Sequence, residues 1–559
     1  MPGSLCENYT KYSFNISYSK RKLSAKAIHR SGACKGVPSE GDSDGPVVAS
    51  KSTGNRPPNP APVAAPDSFS LGGDRLPSQK FSRKYLTRHK RSAQLWRRAA
   101  KLTPGGVESN IRYFKPHPFL ADYGDGGYIY DVDGNKILDF MMGFGALLLG
   151  HNNRDIALEV IKQLESGSML GVTSELFVDY IETAQKAMPS LKKVRLCNSG
   201  TEATMHAIRT ARAYSGREKI AKAEGAYHGA HDYVLQSLDM DSRTARRMNG
   251  YKPIPYGRGI PKAVSDTVVI YPYNDIEGTA AALEEHEDEV GALIIEPVLC
   301  GPGVIAPKAN YLKRLRQLTR KKRIVLIFDE VLTGFRLARG GAQEYYDIRP
   351  DMTTFGKIAG GGFQLAGFGG EAQIMDVLEP GRGWRYGTFH AGTYNGHPVS
   401  VAAGLKCLQI LADHPEYYNH VNGLGRQLFS GLQDLADDRR LPAWVEYVGS
   451  IGNVYFTTKD EVRNFRDTLS ANTRRWWNWF IHCLGNNVLF GIPGAAERAF
   501  LSTEHTEEDI EWALEVADSA FAAVSKEARR HVAKAPSVQL QAVGAQAAAY
   551  GEAPAPPST

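Results

Sequence analysis

Three short polar clusters in this chain each follow a run of apolar residues, and each holds side chains able to act on an anion or an amine. The first, Asn198-Ser199-Gly200-Thr201, leads from Val194-Arg195-Leu196-Cys197 into a helical pattern. Hydroxyls and backbone N–H groups at a helix start can bind a phosphate; the same residues also serve as a plain N-cap. The second is Asp329 and Glu330, which close the apolar run Ile324-Val325-Leu326-Ile327-Phe328. A carboxylate placed there is costly unless a cation meets it, and a protonated pyridine nitrogen, a metal ion or a structural salt bridge would each serve. The third is Lys357, with Gly356 before it and Gly360, Gly361 and Gly362 after it. In an apolar pocket with a cationic neighbour such a lysine loses its proton and becomes an amine nucleophile; at the surface it would be an ordinary lysine beside a loop.

Two further stretches extend the set. Tyr227, in Tyr227-His228-Gly229, could stack on a pyridine face or belong to the core. Thr393 offers a hydroxyl and an N–H to a phosphate, or simply forms a turn. A phosphate site, an acid that keeps a pyridine nitrogen protonated and a lysine able to form a Schiff base are together what pyridoxal 5′-phosphate (PLP) requires.

The elements that must position these residues alternate. From Asp155 to about His397, short apolar strands are followed by helical patterns. This predicts an α/β fold with a mostly parallel sheet, helices on both faces and ligands at the carboxyl ends of the strands. Tyr128 to Phe140 holds two alternating runs joined at Asp133-Gly134, the signature of a hairpin. The chain is expected to divide into a disordered extension (1–91), the first part of a small α+β domain (92–154), a large cofactor-binding domain (155–399), the rest of the small domain (400–530) and a disordered tail (531–559). The first ~35 residues, rich in Lys, Arg and Ser with Glu7 as their acid, resemble an organelle transit peptide or form an untargeted tail.

Composition narrows the classes. A net charge of +7 over 559 residues, without a dense basic run, suits an anionic small ligand rather than nucleic acid. Cys6, Cys34, Cys197, Cys300, Cys407 and Cys483 form no C-x-x-C pair, so neither a disulfide framework nor a metal site is expected, and a reducing, cytoplasmic setting fits. No apolar run reaches the ~18 residues a membrane span needs, so the chain reads as soluble. An NAD oxidoreductase is the weaker reading, because no strand leads into G-x-G-x-x-G at a helix start.

In this order the motifs resemble the class III aminotransferases, PLP enzymes of fold type I, and especially their glutamate-1-semialdehyde 2,1-aminomutase branch. The resemblance covers about residues 92–525 and includes PGGVESNIRYF, NSGTEATMHAIRTARAYSG, EGAYHG, IIEPV, FDEVLTGFR, TTFGKIAGGG, AGTYNGHPVSVAAG and HTEEDIE. It implies a Schiff base on Lys357, Asp329 as partner of the pyridinium, and Gly200 and Thr201 on the phosphate. It also implies a homodimer in which Thr393 reaches the phosphate of a second subunit, and Tyr227 stacked on the ring, with His228 beside it. Ser109 and Arg112 fall where the branch handles substrate and binds its carboxylate. Glu497, eight residues before His505, matches a carboxylate characteristic of the branch.

There are departures. The branch has Trp within the motif that here reads Gly143-Phe144-Gly145, and Asn at the place of Gly301. Its gate after the Tyr-His-Gly motif is small and rich in Gly and Ser; here it carries Arg243, Arg246 and Arg247. Leu332 takes the place of a transaminase glutamine, as an apolar residue does in the branch. A changed gate bears against a mutase, which must seal its intermediate through two amino exchanges. The expected function is amino transfer between an amino acid or amine and a keto or aldehyde acceptor, with Phe144 shaping the substrate site. The aminomutase is the alternative, and a silent scaffold of the same fold the distant one.

Overall fold

The structure, a computed structural model, describes residues 77–492 and 497–534. The disorder and targeting expected at the two ends otherwise fall outside the described residues.

Short apolar runs build a seven-stranded sheet, here labelled β1 (Lys193–Cys197), β2 (Lys219–Ala223), β3 (Val268–Tyr271), β4 (Val290–Ile295), β5 (Val325–Glu330), β6 (Met352–Phe355) and β7 (Ala366–Gly370). Their spatial order is β1-β7-β6-β5-β4-β2-β3. β7 runs antiparallel to both neighbours, and the remaining pairings are parallel. Alternate residues take opposite faces, as the pleat demands. Ala221, Val269, Leu293, Leu326 and Phe328 pack on the side of helices Ile276–Glu284 and Tyr311–Lys322. Ile220, Ile270, Ile294, Val325 and Ile327 face the helix Gly200–Ser215. With both faces covered, β4 and β5 are buried along their whole length, which is why they read as unbroken apolar runs.

The expected hairpin is present: Tyr128–Asp131 pairs antiparallel with Lys136–Asp139, and Gly134 turns at φ 86°. Val488–Leu489 joins Lys136–Asp139 in parallel, so an early and a late segment share one small sheet. Ordered structure starts earlier than residue 92, contrary to expectation. Helix Gln79–Arg88 precedes it and packs on helix Thr473–Gly485, and helix Lys90–Ala99 begins before it. The polar, basic composition hid the i, i+4 pair Phe81 and Tyr85, both buried in the main core. At the far end helix Glu507–Lys534 runs past the expected limit at 530.

Glu330, fully buried at the end of β5, organises the turn that follows. Its carboxylate accepts from Ala342 N (2.5 Å), Gln343 N (3.1 Å), Gln343 Nε2 (3.0 Å) and Thr333 Oγ1 (3.0 Å). Burial nevertheless pushes its pKa up to about 7, against the opposing effect of those donors. A carboxyl whose folded pKa is raised favours the fold below its unfolded value, and that contribution is lost as pH rises through 7. Thermal unfolding should therefore show the wild type losing roughly 3 kcal/mol relative to Glu330→Gln between pH 4.5 and 8. Parallel stability–pH curves for the two proteins would refute this.

Candidate active site

Five strand ends, those of β1, β2, β4, β5 and β6, open on one edge of the sheet, and each delivers a polar residue there. At the end of β5 Asp329 is almost fully buried. Its Oδ1 accepts from Thr354 Oγ1 (3.0 Å), on the neighbouring β6, and from the Val331 N–H (3.1 Å). His228 Nδ1 lies 2.7 Å from Oδ2. A carboxylate has about four acceptor positions, so one remains on Oδ2 for a further N–H. The carboxylate is held rigid and still has capacity for a cationic partner.

Lys357 follows β6 with φ 51°, an unusual angle for a residue with a side chain, and begins the turn Lys357–Gly360. It is deeply set but keeps part of its surface accessible. Burial is the largest influence on its ammonium group and lowers the pKa from the ordinary lysine value; Asp329 opposes this, and Arg498 adds to it. Asp329 and Lys357, expected to act together, are thus electrostatically coupled.

At the end of β1 Ser199 caps the helix Gly200–Ser215. Its hydroxyl accepts from Glu202 N (3.2 Å), and Glu202 returns its carboxylate to the N–H groups of Asn198 (2.6 Å) and Ser199 (3.2 Å). The capping box accounts for the Ser199 side chain, and the helix start is left to Gly200 and Thr201. Thr201 Oγ1 accepts from Ala230 N (3.1 Å), which ties the loop after His228 to this helix. Gly229 must be glycine: at φ 96° a Cβ would lie 2.7 Å from the Thr201 Cα.

At the end of β4 stands Glu296, a residue that reading the sequence did not single out. It accepts from the N–H groups of Tyr227 (2.9 Å), Gly301 (3.1 Å) and Cys300 (3.3 Å), and burial raises its pKa. It fixes the Tyr227 backbone, while the Tyr227 ring stays 44% exposed. Gly301 packs so closely here that a Cβ would sit 2.2 Å from the Gly225 carbonyl oxygen and 2.8 Å from Tyr227 N. Gly301→Asn should therefore displace Tyr227, lower kcat/KM at least tenfold and reduce the melting temperature. Wild-type kinetics in that variant would show that the turn yields freely.

Phe144 lies in a turn where Met142, Gly143, Phe144 and Gly145 all have positive φ. Arg336, fully buried, holds this turn by donating from Nη2 to the Gly145 carbonyl (2.9 Å) and from Nη1 to that of Leu501 (3.0 Å), with Phe500 against its guanidinium. Burial pulls its pKa down to about 9. Arg498, next to the partly buried Glu497, donates to the carbonyls of Cys300 and Gly301 and contributes its charge at Lys357 and Tyr227. Neither arginine was singled out from the sequence. Glu296 could have been, since it closes an apolar strand as Asp329 does; the arginines carry no comparable local pattern.

The remaining expected residues lie at the surface. Ser109 and Arg112 occupy an exposed stretch, where Arg112 pairs with Glu108 at 3.1 Å. Thr393 is exposed, although its loop is tied to the site where Asn198 Nδ2 donates to Asn395 Oδ1 at 3.2 Å. Among the described residues no cluster of His, Cys, Asp and Glu could hold a metal ion.

The donor set fits PLP: a carboxylate with one acceptor position left, an amine of lowered basicity coupled to it, and a glycine-lined helix start. Comparison with known proteins agrees. The family model "Aminotransferase class-III" matches residues 112–479. A glutamate-1-semialdehyde 2,1-aminomutase of Archaeoglobus fulgidus is 40% identical over 425 residues, 76% of this chain and 98% of that one. The crystal structure of an omega-transaminase from Sphaerobacter thermophilus is 35% identical with a TM-score of 0.72, covering 78% of this chain and 97% of that one. A transaminase with PLP bound superposes with a TM-score of 0.71 at 28% identity, covering 79% and 99%. The chain belongs to the class-III aminotransferase family and is a PLP-dependent enzyme of the fold type I class.

Proposed function

We propose that this enzyme moves an amino group from an amino acid or amine to a separate keto or aldehyde acceptor. The observation that carries the reading is the coupled pair of Lys357 and Asp329, one with lowered basicity and the other anchored by Thr354, Val331 and His228. PLP, when bound, supplies an aldehyde that accepts amines and a ring that draws off the electron pair left at a deprotonated carbon. Asp329 would keep the ring nitrogen protonated through its remaining acceptor position. Gly200 and Thr201 would hold the phosphate at the helix start, where N–H groups and the helix dipole favour an anion. Lys357 Nζ, less basic in its pocket than an ordinary lysine, would take the proton from the substrate carbon as general base and deliver it as general acid to the carbon that was the cofactor's aldehyde. Arg498 and Arg112 are the cations suited to orient a substrate carboxylate. Ser109, Phe144 and Glu497 would line the substrate side.

Transfer between two molecules is favoured by the close packing of Gly301 and by the basic, helical segment at Ser242–Arg247, both departures from the mutase pattern. The 40% identity with a relative named as an aminomutase supports a second reading, amino transfer within one molecule. Glutamate-1-semialdehyde supplied without any amino donor distinguishes them. Catalytic conversion would overturn the transaminase reading; failure to convert it, together with exchange between an added amino acid and a keto acid, would support it.

A homodimer fits the same reading. Tyr386, Phe389 and Tyr394, near Thr393, are 76%, 79% and 59% exposed, a surface suited to a second copy. A cytoplasmic setting is supported by four free, buried cysteines among the described residues. Among these residues no helix is long and apolar enough to cross a membrane.

A further inference from the structure

The stretch between Gln236 and Pro255 leaves the body of the fold and returns to it, and residues from far along the chain hold its middle. Ser237 fastens both ends. Its N–H donates to the Ile254 carbonyl (2.7 Å), its hydroxyl to that of Lys252 (2.6 Å), and its own carbonyl accepts from Gly225 N (2.8 Å). In between, Asp241 caps the short helix Ser242–Arg247, on which Arg243, Arg246 and Arg247 are exposed. Met240 and Ala245 bury against Phe465, whose ring also covers Gly225: a Cβ on that glycine would lie 2.6 Å from it.

Arg466, the next residue, touches both sides. Its Nε and Nη2 donate to Glu224 at 2.8 and 3.0 Å, and Nη2 also donates to the Gly250 carbonyl at 2.8 Å. The guanidinium sits 4.2 Å from the centre of the Tyr251 ring. Glu224 is only 3% exposed, so this forked pair is shielded from solvent more than a surface ion pair would be. Glu224 opens the turn whose Gly225 carbonyl packs on Gly301 and whose Tyr227 N–H is held by Glu296. A single side chain therefore spans the outer segment and the turn that carries Tyr227.

We propose that Arg466 is a positioning residue, a latch that makes release of the 238–252 segment and movement of the Glu224–Tyr227 turn one event. Its effect on turnover rests on the aminotransferase reading, but the latch can be tested without cofactor or substrate. Trypsin cleaves at Arg243, Arg246 or Arg247 only when the segment opens, so the cleavage rate, mapped by mass, reports the open population. Arg466→Gln should raise that rate about tenfold, and Arg466→Lys, which keeps the charge but loses the fork, by less. Tyr251→Leu, which leaves the Glu224 pair intact, should also raise it, and the effect of the double variant Arg466→Gln/Tyr251→Leu should fall short of the product of the two single effects. With substrate present, KM should rise severalfold while kcat stays within about twofold. Wild-type cleavage rates in both single variants, fully multiplicative effects, or a fall in kcat at unchanged KM would each overturn the latch. Failure of the semialdehyde and exchange assays would leave the cleavage result standing, so the two readings fail separately.

Discussion

Lys357→Ala is expected to abolish amino transfer, lowering kcat by about 10⁴-fold or more, because on the proposed reading it removes both the amine that would hold the cofactor covalently and the group that would shuttle the substrate proton. General acid–base catalysis alone contributes about 10²–10⁴-fold, and loss of the covalent anchor adds to that. The fold should survive. In the cofactor-free protein the pKa of this buried ammonium is lowered, so its charged form opposes folding and the cost grows as pH falls through the folded value. Relative to Lys357→Ala, the wild type should thus lose stability towards acid. Single-turnover kinetics and thermal melts measure the two effects. Borohydride reduction of the PLP-loaded wild type should label Lys357 in peptide mapping; a label on another amine, or transfer in the variant near the wild-type rate, would remove the basis of the mechanism.

Asp329→Asn keeps the shape but removes the negative charge, and it should lower kcat/KM by about 10³-fold. Loss of one preorganised electrostatic group in a buried site typically costs 10²–10³, and here the same charge would hold the proton on the ring nitrogen. Thr354 and the Val331 N–H still find an acceptor in the amide oxygen, so PLP affinity should fall far less than the rate. The substitution also removes the main influence that raises the Lys357 pKa, so the pH dependence of the Lys357 amine should move to lower pH. Steady-state kinetics of the loaded enzyme and a pH titration of the Lys357 amine in the cofactor-free protein test both. A tenfold loss or less would mean that Asp329 is not the ring's partner, and a titration unmoved from wild type would mean that its charge does not act on Lys357.

The placement of these two residues was legible because it follows from local order. Apolar runs of four to six residues, alternating with helices, form parallel strands, and whatever polar residue ends such a run must face the open edge of the sheet. Asp329, Lys357, Thr201 and Tyr227 were placed at strand ends in this way, and Glu296 carried the same signal unread. Ser199 was legible as both cap and ligand, and the geometry assigns its hydroxyl to the cap. The helix Gln79–Arg88 was missed because two buried aromatic residues outweigh many exposed polar ones, a balance that composition does not register.

The order of strands and helices along the chain and the edge of the sheet on which Lys357, Asp329 and the other polar residues come together are written into local pattern, since strand and helix periodicity and the polar ends of apolar runs depend on neighbours along the chain. The arginines were decided only on folding: Arg498 beside Lys357, Arg336 inside the turn of Phe144, and Arg466 across Glu224 and Tyr251. Their partners lie far away in sequence, and a guanidinium acquires its effect from what surrounds it once water is excluded, which no local spacing encodes.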